Sequence, residues 1–344
     1  FEVFGYSLGI DDASPLRQRL ASAFEHFVDL SGASFTETAR RIRSDGIHIL
    51  IDLSGWTADG RPESLAMRCA PIQVNWLGYP GTMGHPNLAD YLLGDRMVTP
   101  LEDAPYYTEA LVNLPGSYMP VDTQNLPGAV PSRRDAGLPD TGFVYCSFNN
   151  SYKFNPEVFD LWAKILDATP GSLLWLSHPP GDAGDRLRRE IKLRGIEPDR
   201  LVLASHVKNL SEHHARIQLA DLALDTFPYN SHSTGVDALW CGVPMVSLYG
   251  DTFPGRVASS LLKAAGLDDL IAKSKDEYSR LAVDLFDHPE RLRKYKDHLA
   301  LRGALPLFNT PAFTAGLELA YLQMWDQFSN GVLRPIVVDA PSYH

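Results

Sequence analysis

The segment richest in groups that could do chemistry runs from Asn230 to Asp237 and reads Asn-Ser-His-Ser-Thr-Gly-Val-Asp. It follows the apolar run Leu222–Leu224 and the breaker sequence Asp225-Thr226-Phe227-Pro228-Tyr229, and it leads into a helical pattern through Trp240. A strand, a turn of small hydroxyl residues and a helix start together make an anion site. The first turn of a helix carries free N–H groups at the positive end of its dipole. Ser233 and Thr234 add hydroxyl donors, and Asp237, one turn on, sets a carboxylate where ribose hydroxyls could donate to it. Two readings of the segment stay open on local sequence: the cradle of a nucleoside diphosphate, or an ordinary helix cap in an α/β fold.

Other candidate groups follow strand-like runs. Lys153 comes just after Phe143–Phe148 and can neutralise a phosphate or a leaving diphosphate, with Asn150 as a second donor. A loop lysine standing alone is more often simply solvated. His213 and His214 open a helix after a loop containing Lys208; one ring could stack on a nucleobase, or both could merely be exposed. His85 is a candidate sugar contact in the Gly- and Pro-rich loop Gly78–Pro86. Asp52 and Asp95 end strands, where Asp often caps the following turn. Arg256, after Gly250–Gly255, can steady a phosphate loop or pair with a carboxylate. There is no P-loop, no G-x-G-x-x-G, no H-E-x-x-H and no paired-carboxylate arrangement, which counts against an NAD enzyme, a metalloprotease and a glycosidase.

The elements that must position these groups alternate. Strands are expected at Phe1–Leu8, Ile47–Leu53, Pro71–Leu77, Tyr91–Asp95 and Ala110–Leu114, and helices at Pro15–Phe27, Phe35–Ile42 and Pro62–Arg68. In the long helix Leu16, Leu20, Phe24 and Phe27 form one face. After the proline-rich, aperiodic stretch Ser117–Arg134 the alternation restarts at Phe143–Phe148 and continues through strands at Ser172–Ser177, Leu201–Leu203, Asp221–Asp225 and Met245–Leu248. Near-continuous apolar strands of this kind belong to parallel sheets covered on both faces. The expected architecture is α/β, with two Rossmann-like lobes and a cleft between them. The lobes are expected over residues 1–125 and 141–310, with a linker at 126–140. A C-terminal helix and tail over 311–344 are expected to pack back on the first lobe. Ligands of such sheets bind beyond the carboxyl ends of the strands.

The chain has 344 residues and a net charge of −11, which argues against general binding to nucleic acid or anionic membrane. No run of 18 uncharged apolar residues occurs, so no membrane helix is expected. Phe1–Leu8 has no basic region or cleavage pattern of a signal peptide, and it reads like the inside of a strand, as in a piece of a longer protein. Cys69, Cys146 and Cys241 sit in apolar contexts without pair spacing, which favours buried free thiols and a cytoplasmic location over disulfides or zinc.

Set together, these blocks resemble the catalytic region of the O-GlcNAc transferase family, bacterial members included. The resemblance implies a fold of the GT-B type, two Rossmann-like lobes facing across a cleft, with the N-terminal lobe incomplete. The matching residues are Gly46–Leu50, Ala70–Gln73, Trp76–Thr82, Tyr145–Asn149, Tyr152-Lys153, Gln218–Asp221, Asn230–Trp240, Leu307–Thr310 and Tyr321–Trp325. The resemblance implies that Lys153 contacts the UDP diphosphate and stabilises the leaving group, with Asn150 beside it. It implies that His232, Ser233 and Thr234 make phosphate contacts, Lys153 and His232 being the catalytic pair. By the same resemblance Asp237 binds ribose, His213 stacks on the uridine and Arg216 lies on the uracil side. Where the family has a ribose-side Lys this chain has Leu210, so that either Lys208 substitutes or nucleotide affinity is lower. Trp56, Thr57, Leu77, Gly78 and Pro80 match positions lining the sugar pocket.

The long insert of animal members is absent. An Asp and a His-Pro pair upstream of the first strand, and a tetratricopeptide array, are family features that would precede Phe1. The activity implied is inverting transfer of GlcNAc from UDP-GlcNAc to Ser or Thr of proteins, with no metal and no further cofactor. The partners implied are the sugar donor, an acceptor protein and that array. Transfer of glucose to Asn, a UDP-sugar epimerase and a non-catalytic UDP-binding module are the alternatives.

Overall fold

The candidate residues follow the strands of two parallel sheets, one in each half of a computed structural model that describes residues 1–207 and 209–340. In chain order the first elements are β1 (Phe4–Ser7), α1 (Pro15–Ala23), β2 (His26–Asp29), α2 (Phe35–Ser44), β3 (Ile49–Asp52), α3 (Pro62–Ala66), β4 (Ile72–Asn75), β5 (Tyr91–Asp95) and β6 (Ala110–Leu114). Then follow β7 (Val144–Ser147), α4 (Pro156–Ala168), β8 (Leu173–Ser177), α5 (Ala183–Leu193), β9 (Leu201–Ala204), α6 (Leu210–Ile217), β10 (Leu222–Leu224), α7 (Ser233–Trp240) and β11 (Met245–Leu248). The chain closes with α8 (Val257–Ala264), β12 (Ile271–Ala272), α9 (Lys275–Asp287), α10 (Pro289–Ala300), α11 (Thr310–Ser329) and β13 (Ile336–Val337). Residues 1–114 and 317–339 form one compact unit and residues 115–316 a second.

In the first unit a five-stranded sheet has the order β13-β6-β5-β4-β3, every pairing parallel. All four residues of β4 and all five of β5 are buried, as expected for strands covered on both faces. The helix expected over Pro15–Phe27 is shorter. Ser14 caps it, its Oγ accepting from Arg17 N–H at 3.1 Å, but it ends at Ala23 and buries no residue. His26–Asp29 instead pair in parallel with β1, and Phe24 packs against Gly5. A parallel ladder satisfies the backbone there as well as another helical turn would, and it brings the apolar residues to β1. The tail belongs to this unit: Ile336 and Val337 pair with β6, and Tyr91 OH donates to Gln327 Oε1 at 3.3 Å.

The second unit holds a six-stranded sheet of order β12-β11-β10-β7-β8-β9, again parallel throughout. Chain order runs outward from β7 through β8 to β9, and then from β10 on the other side of β7 through β11 to β12. The switch point therefore lies between β7 and β10, where doubly wound sheets open a crevice at their carboxyl ends. Residues expected to close the first lobe are packed in this unit instead. Tyr118 is fully buried, edge-on to Phe253 with ring centroids 5.0 Å apart, Ser260 and Ser117 hydroxyls meet at 2.8 Å, and Trp240 Nε1 donates to Asn125 O at 2.9 Å. The second unit accordingly begins at Pro115, and Ala136 and Leu138, inside the expected linker, are buried as well.

Candidate active site

The two strands that flank the switch point each hand a chain segment to the crevice. After β7 come Asn149, Asn150 and the short turn Ser151–Lys153; after β10 come Asp225 to His232 and the start of α7. Lys153 is partly buried. Its Nζ donates to Asn230 O at 2.7 Å and to Asn149 Oδ1 at 3.3 Å, and it lies 4.3 Å from the centre of the Tyr229 ring. Burial pushes its pKa down to about 8, with Asp225 pulling the other way. Each near partner of the ammonium is neutral, and no carboxylate among the described residues pairs with it. Its charge is therefore left for a ligand.

His232 caps α7. Its carbonyl accepts from the N–H groups of Gly235 at 3.0 Å and Val236 at 3.1 Å, while the amides of Ser233 and Thr234 have no acceptor among the described residues. Its ring stacks on Tyr229 at 4.9 Å, and its Nε2 is buried without a partner. Burial, and then the positive charge of Lys153, hold its pKa down at about 3, so the imidazole is neutral at pH 7. A neutral ring beside a lysine can hydrogen-bond an anion without adding to the repulsion of a second cation.

Behind this rim sits a buried polar layer. Asn149 Oδ1 accepts from Thr234 Oγ1 at 2.9 Å as well as from Lys153, and its Nδ2 donates to Ser231 Oγ at 2.7 Å. Asp225 Oδ1 accepts from Ser231 N–H, and its Oδ2 from Ser247 Oγ, both at 2.6 Å. Burial raises the Asp225 carboxyl to about 6. Asn149, Asp225 and Tyr229 were not singled out by sequence. The only signal was position, since each lies within a few residues of the carboxyl end of β7 or β10.

On α6 and α7 a second group of residues meets. Asp237 Oδ1 lies 2.9 Å from Nε2 of the buried His214, and the partly exposed carboxylate keeps its other oxygen free of partners among the described residues. His213 Nδ1 accepts from Arg216 Nε at 3.1 Å and Nη2 at 2.9 Å, and its ring meets Phe148 edge-on at 5.2 Å. Burial, aided by Arg216, lowers His213 to about 4. Arg216 lies over Phe148 at 5.2 Å and donates to Ser205 O. Asn150 and Ser233 are exposed; Asn150 Oδ1 takes only the Tyr152 N–H, at 3.4 Å. Lys208 lies outside the described residues.

In the first unit the sugar-side candidates follow the carboxyl ends of neighbouring strands β3 and β4. Trp56 Nε1 donates to Met83 O at 3.2 Å, and Thr57 Oγ1 to Ser54 O at 2.6 Å. Leu77 adopts φ +80°, and Gly78 N–H reaches back to Trp76 O at 3.2 Å, closing a three-residue γ-turn. A non-glycine residue in that region costs about 1–3 kcal/mol and marks a place where backbone shape matters more than comfort. A Cβ on Gly78 would sit 2.2 Å from Leu53 O, so only glycine fits. Gly81 N–H to Tyr79 O at 3.0 Å closes a second such turn around Pro80. Asp52 caps the preceding loop, accepting from Ser54 and Gly55 N–H. His85 caps its own loop through Nδ1 and Asn87 N–H at 3.1 Å. Glu109, buried, anchors the loop by accepting from Thr82 Oγ1 at 2.7 Å and Met83 N–H at 2.5 Å.

Two parallel α/β units, the second with a doubly wound sheet, match the GT-B class of glycosyltransferase folds. Anabaena HepE solved with UDP shares that fold, with a TM-score of 0.59 at 12% identity over 95% of this chain and 92% of that one. The chain belongs to glycosyl transferase family 41, whose model matches residues 1–128 and 123–317. A lysine-to-methionine mutant of Thermobaculum terrenum O-GlcNAc transferase is similar at TM-score 0.88 and 36% identity, over 96% of this chain and 63% of that one. The probable UDP-N-acetylglucosamine–peptide N-acetylglucosaminyltransferase SEC of Arabidopsis thaliana is 40% identical, and the Caenorhabditis elegans UDP-N-acetylglucosamine–peptide N-acetylglucosaminyltransferase 30%. Each match covers 96% of this chain, but only 34% and 38% of those relatives. The chain thus spans about a third of their length.

Proposed function

We propose that this chain catalyses inverting transfer of N-acetylglucosamine from UDP-GlcNAc to serine or threonine hydroxyls of proteins. The observation that carries the proposal is the Lys153 ammonium, held only by neutral groups, beside the open first turn of α7. In this reading the acceptor hydroxyl attacks the anomeric carbon as the bond to the diphosphate oxygen breaks, and its proton is released with UDP. Negative charge then grows on the β-phosphate. Lys153, the amides of Ser233 and Thr234, the neutral His232 ring and the Thr234 hydroxyl meet that charge; preorganised donors of this kind supply about 3–4 kcal/mol each. Asp237 takes ribose hydroxyls on its free oxygen, and His213 with Arg216 flanks the base. Trp56, Thr57, Leu77, Gly78 and Pro80 are assigned to the sugar by the family resemblance. A lysine and a helix N-terminus supply the positive potential, so transfer is expected to proceed without a divalent metal or other cofactor. A cytoplasmic location, an acceptor protein and a tetratricopeptide array in the full protein belong to the same proposal, on the strength of the relatives' names and the family resemblance.

The test is incubation of the chain with UDP-GlcNAc and Ser- or Thr-bearing peptides in EDTA, reading UDP release and peptide mass. A gain of one N-acetylhexosamine on a hydroxyl residue, dependent on the peptide, is expected. Transfer from UDP-glucose to asparagine, or epimerised donor without peptide, would replace the assignment.

A further inference from the structure

We propose that Asn149 is the positioning residue of the diphosphate cradle, fixing the Lys153 ammonium and the Thr234 hydroxyl on one shared oxygen. The proposal rests on the transferase reading above. Asn149 is 2% exposed, and its side-chain amide is fully used: Oδ1 takes Lys153 Nζ and Thr234 Oγ1, while Nδ2 gives to Ser231 Oγ at 2.7 Å and Ser147 Oγ at 3.4 Å. Its backbone carbonyl is fixed as well, by Ser177 Oγ at 2.9 Å. An amide with every donor and acceptor engaged has one orientation, because flipping it would set NH₂ against the ammonium. The chemistry also explains why an amide and not a carboxylate stands here. A carboxylate 3.3 Å from Nζ would orient the lysine but cancel its charge; a carbonyl dipole orients it and leaves the full charge for phosphate. The chain of bonds then runs inward, from Asn149 through Ser231 to the buried Asp225, so the cradle is tied to the end of β10.

A group that acts through Lys153 should lose its effect when Lys153 is gone, which a merely structural asparagine would not. In the full chain, Asn149→Ala is expected to lower kcat 30- to 300-fold while KM for UDP-GlcNAc moves less than fivefold. In a Lys153→Met background the same change should cost no more than threefold. Equal losses in both backgrounds would overturn the proposal. A second variant keeps the question open to measurement without turnover. Asn149→Asp retains the shape but puts a carboxylate on the ammonium, and competitive acetic anhydride labelling of Lys153, read by mass spectrometry across pH, should show its pKa rise by at least one unit. An unchanged titration would remove Asn149 from the lysine's environment and overturn the proposal. Absence of UDP binding by the unaltered chain in calorimetry, together with a shifted titration in Asn149→Asp, would sink the transferase reading while leaving the placement of Lys153 by Asn149 intact.

Discussion

The loops that follow β3 and β4 and the cradle that follows β7 and β10 both leave the carboxyl ends of adjacent parallel strands, yet they are built from different materials. The first is made of backbone: a left-handed Leu77, two γ-turns, and Gly78 pressed against the Leu53 carbonyl. The second is made of side chains: a lysine and an asparagine set by hydrogen bonds, and a histidine stacked on Tyr229, with burial lowering the pKa of the lysine and of the histidine. A neutral sugar offers hydroxyls and a shape, which backbone can match. A diphosphate offers charge, which needs a cation with its charge uncompensated. Substitution should therefore remove chemistry from the second region and conformation from the first.

The largest effect tests that contrast directly. Lys153→Met removes the ammonium but keeps a long apolar stem over Tyr229, and it is expected to reduce transfer about a thousandfold. Its melting temperature should stay near that of the parent, because a partly buried ammonium with a lowered pKa stabilises the fold little. Near-normal turnover would end the assignment of Lys153 to the leaving group. A collapsed melting temperature would instead make the residue structural.

The opposite pattern is expected of Gly78→Ala. A methyl group forced to within 2.2 Å of a backbone oxygen must move the Trp76–Gly81 turn. Overpacking of this kind costs about 1–3 kcal/mol. Chemical denaturation should register that loss, and KM for the donor should rise more than kcat falls. Unchanged stability together with unchanged KM would break the contrast between the two regions.

Much of this was legible in sequence, and the exceptions have physical causes. Tyr91–Asp95, Ala110–Leu114 and Met245–Leu248 are strands with the boundaries that their apolar runs predict, since a strand buried on both faces has no other way to be written. The start of α7 was equally visible, because small hydroxyl residues before a glycine mark a helix N-terminus. β2 was not, because Phe24 and Phe27 continue a helical spacing from Leu16, and only pairing with β1 makes the extended form better. Asn149 was passed over for Asn150, its exposed neighbour: two adjacent asparagines are alike in sequence, and only the turn after β7 decides which faces inward. That Leu77 takes a glycine-like backbone, and that His214 rather than His213 meets Asp237, depend in the same way on contacts distant along the chain.

The smallest expected effect is a pH dependence, and its sign follows from burial. Lys153 titrates near 8 instead of the ordinary 10.5, because its partly buried site disfavours the charged form. The ammonium is therefore present below about pH 8 and lost above it. Affinity for UDP should fall about twofold from pH 7 to 8 and then by up to about tenfold per unit, as one charge on the protein disappears. His232, held near 3, stays neutral throughout that window and adds no second inflection. Lys153→Arg separates the contributions, since a guanidinium does not titrate below about pH 12. The variant should bind UDP more weakly at pH 7, because the fork of arginine does not fit the Asn149 and Asn230 oxygens, but its affinity should no longer fall above pH 8. Isothermal titrations in half-unit steps from pH 7 to pH 9, short of the ionisation of the uracil N3–H, decide the matter. An inflection that survives Lys153→Arg would have to come from another group, and the second region would then owe its charge to something other than its lysine.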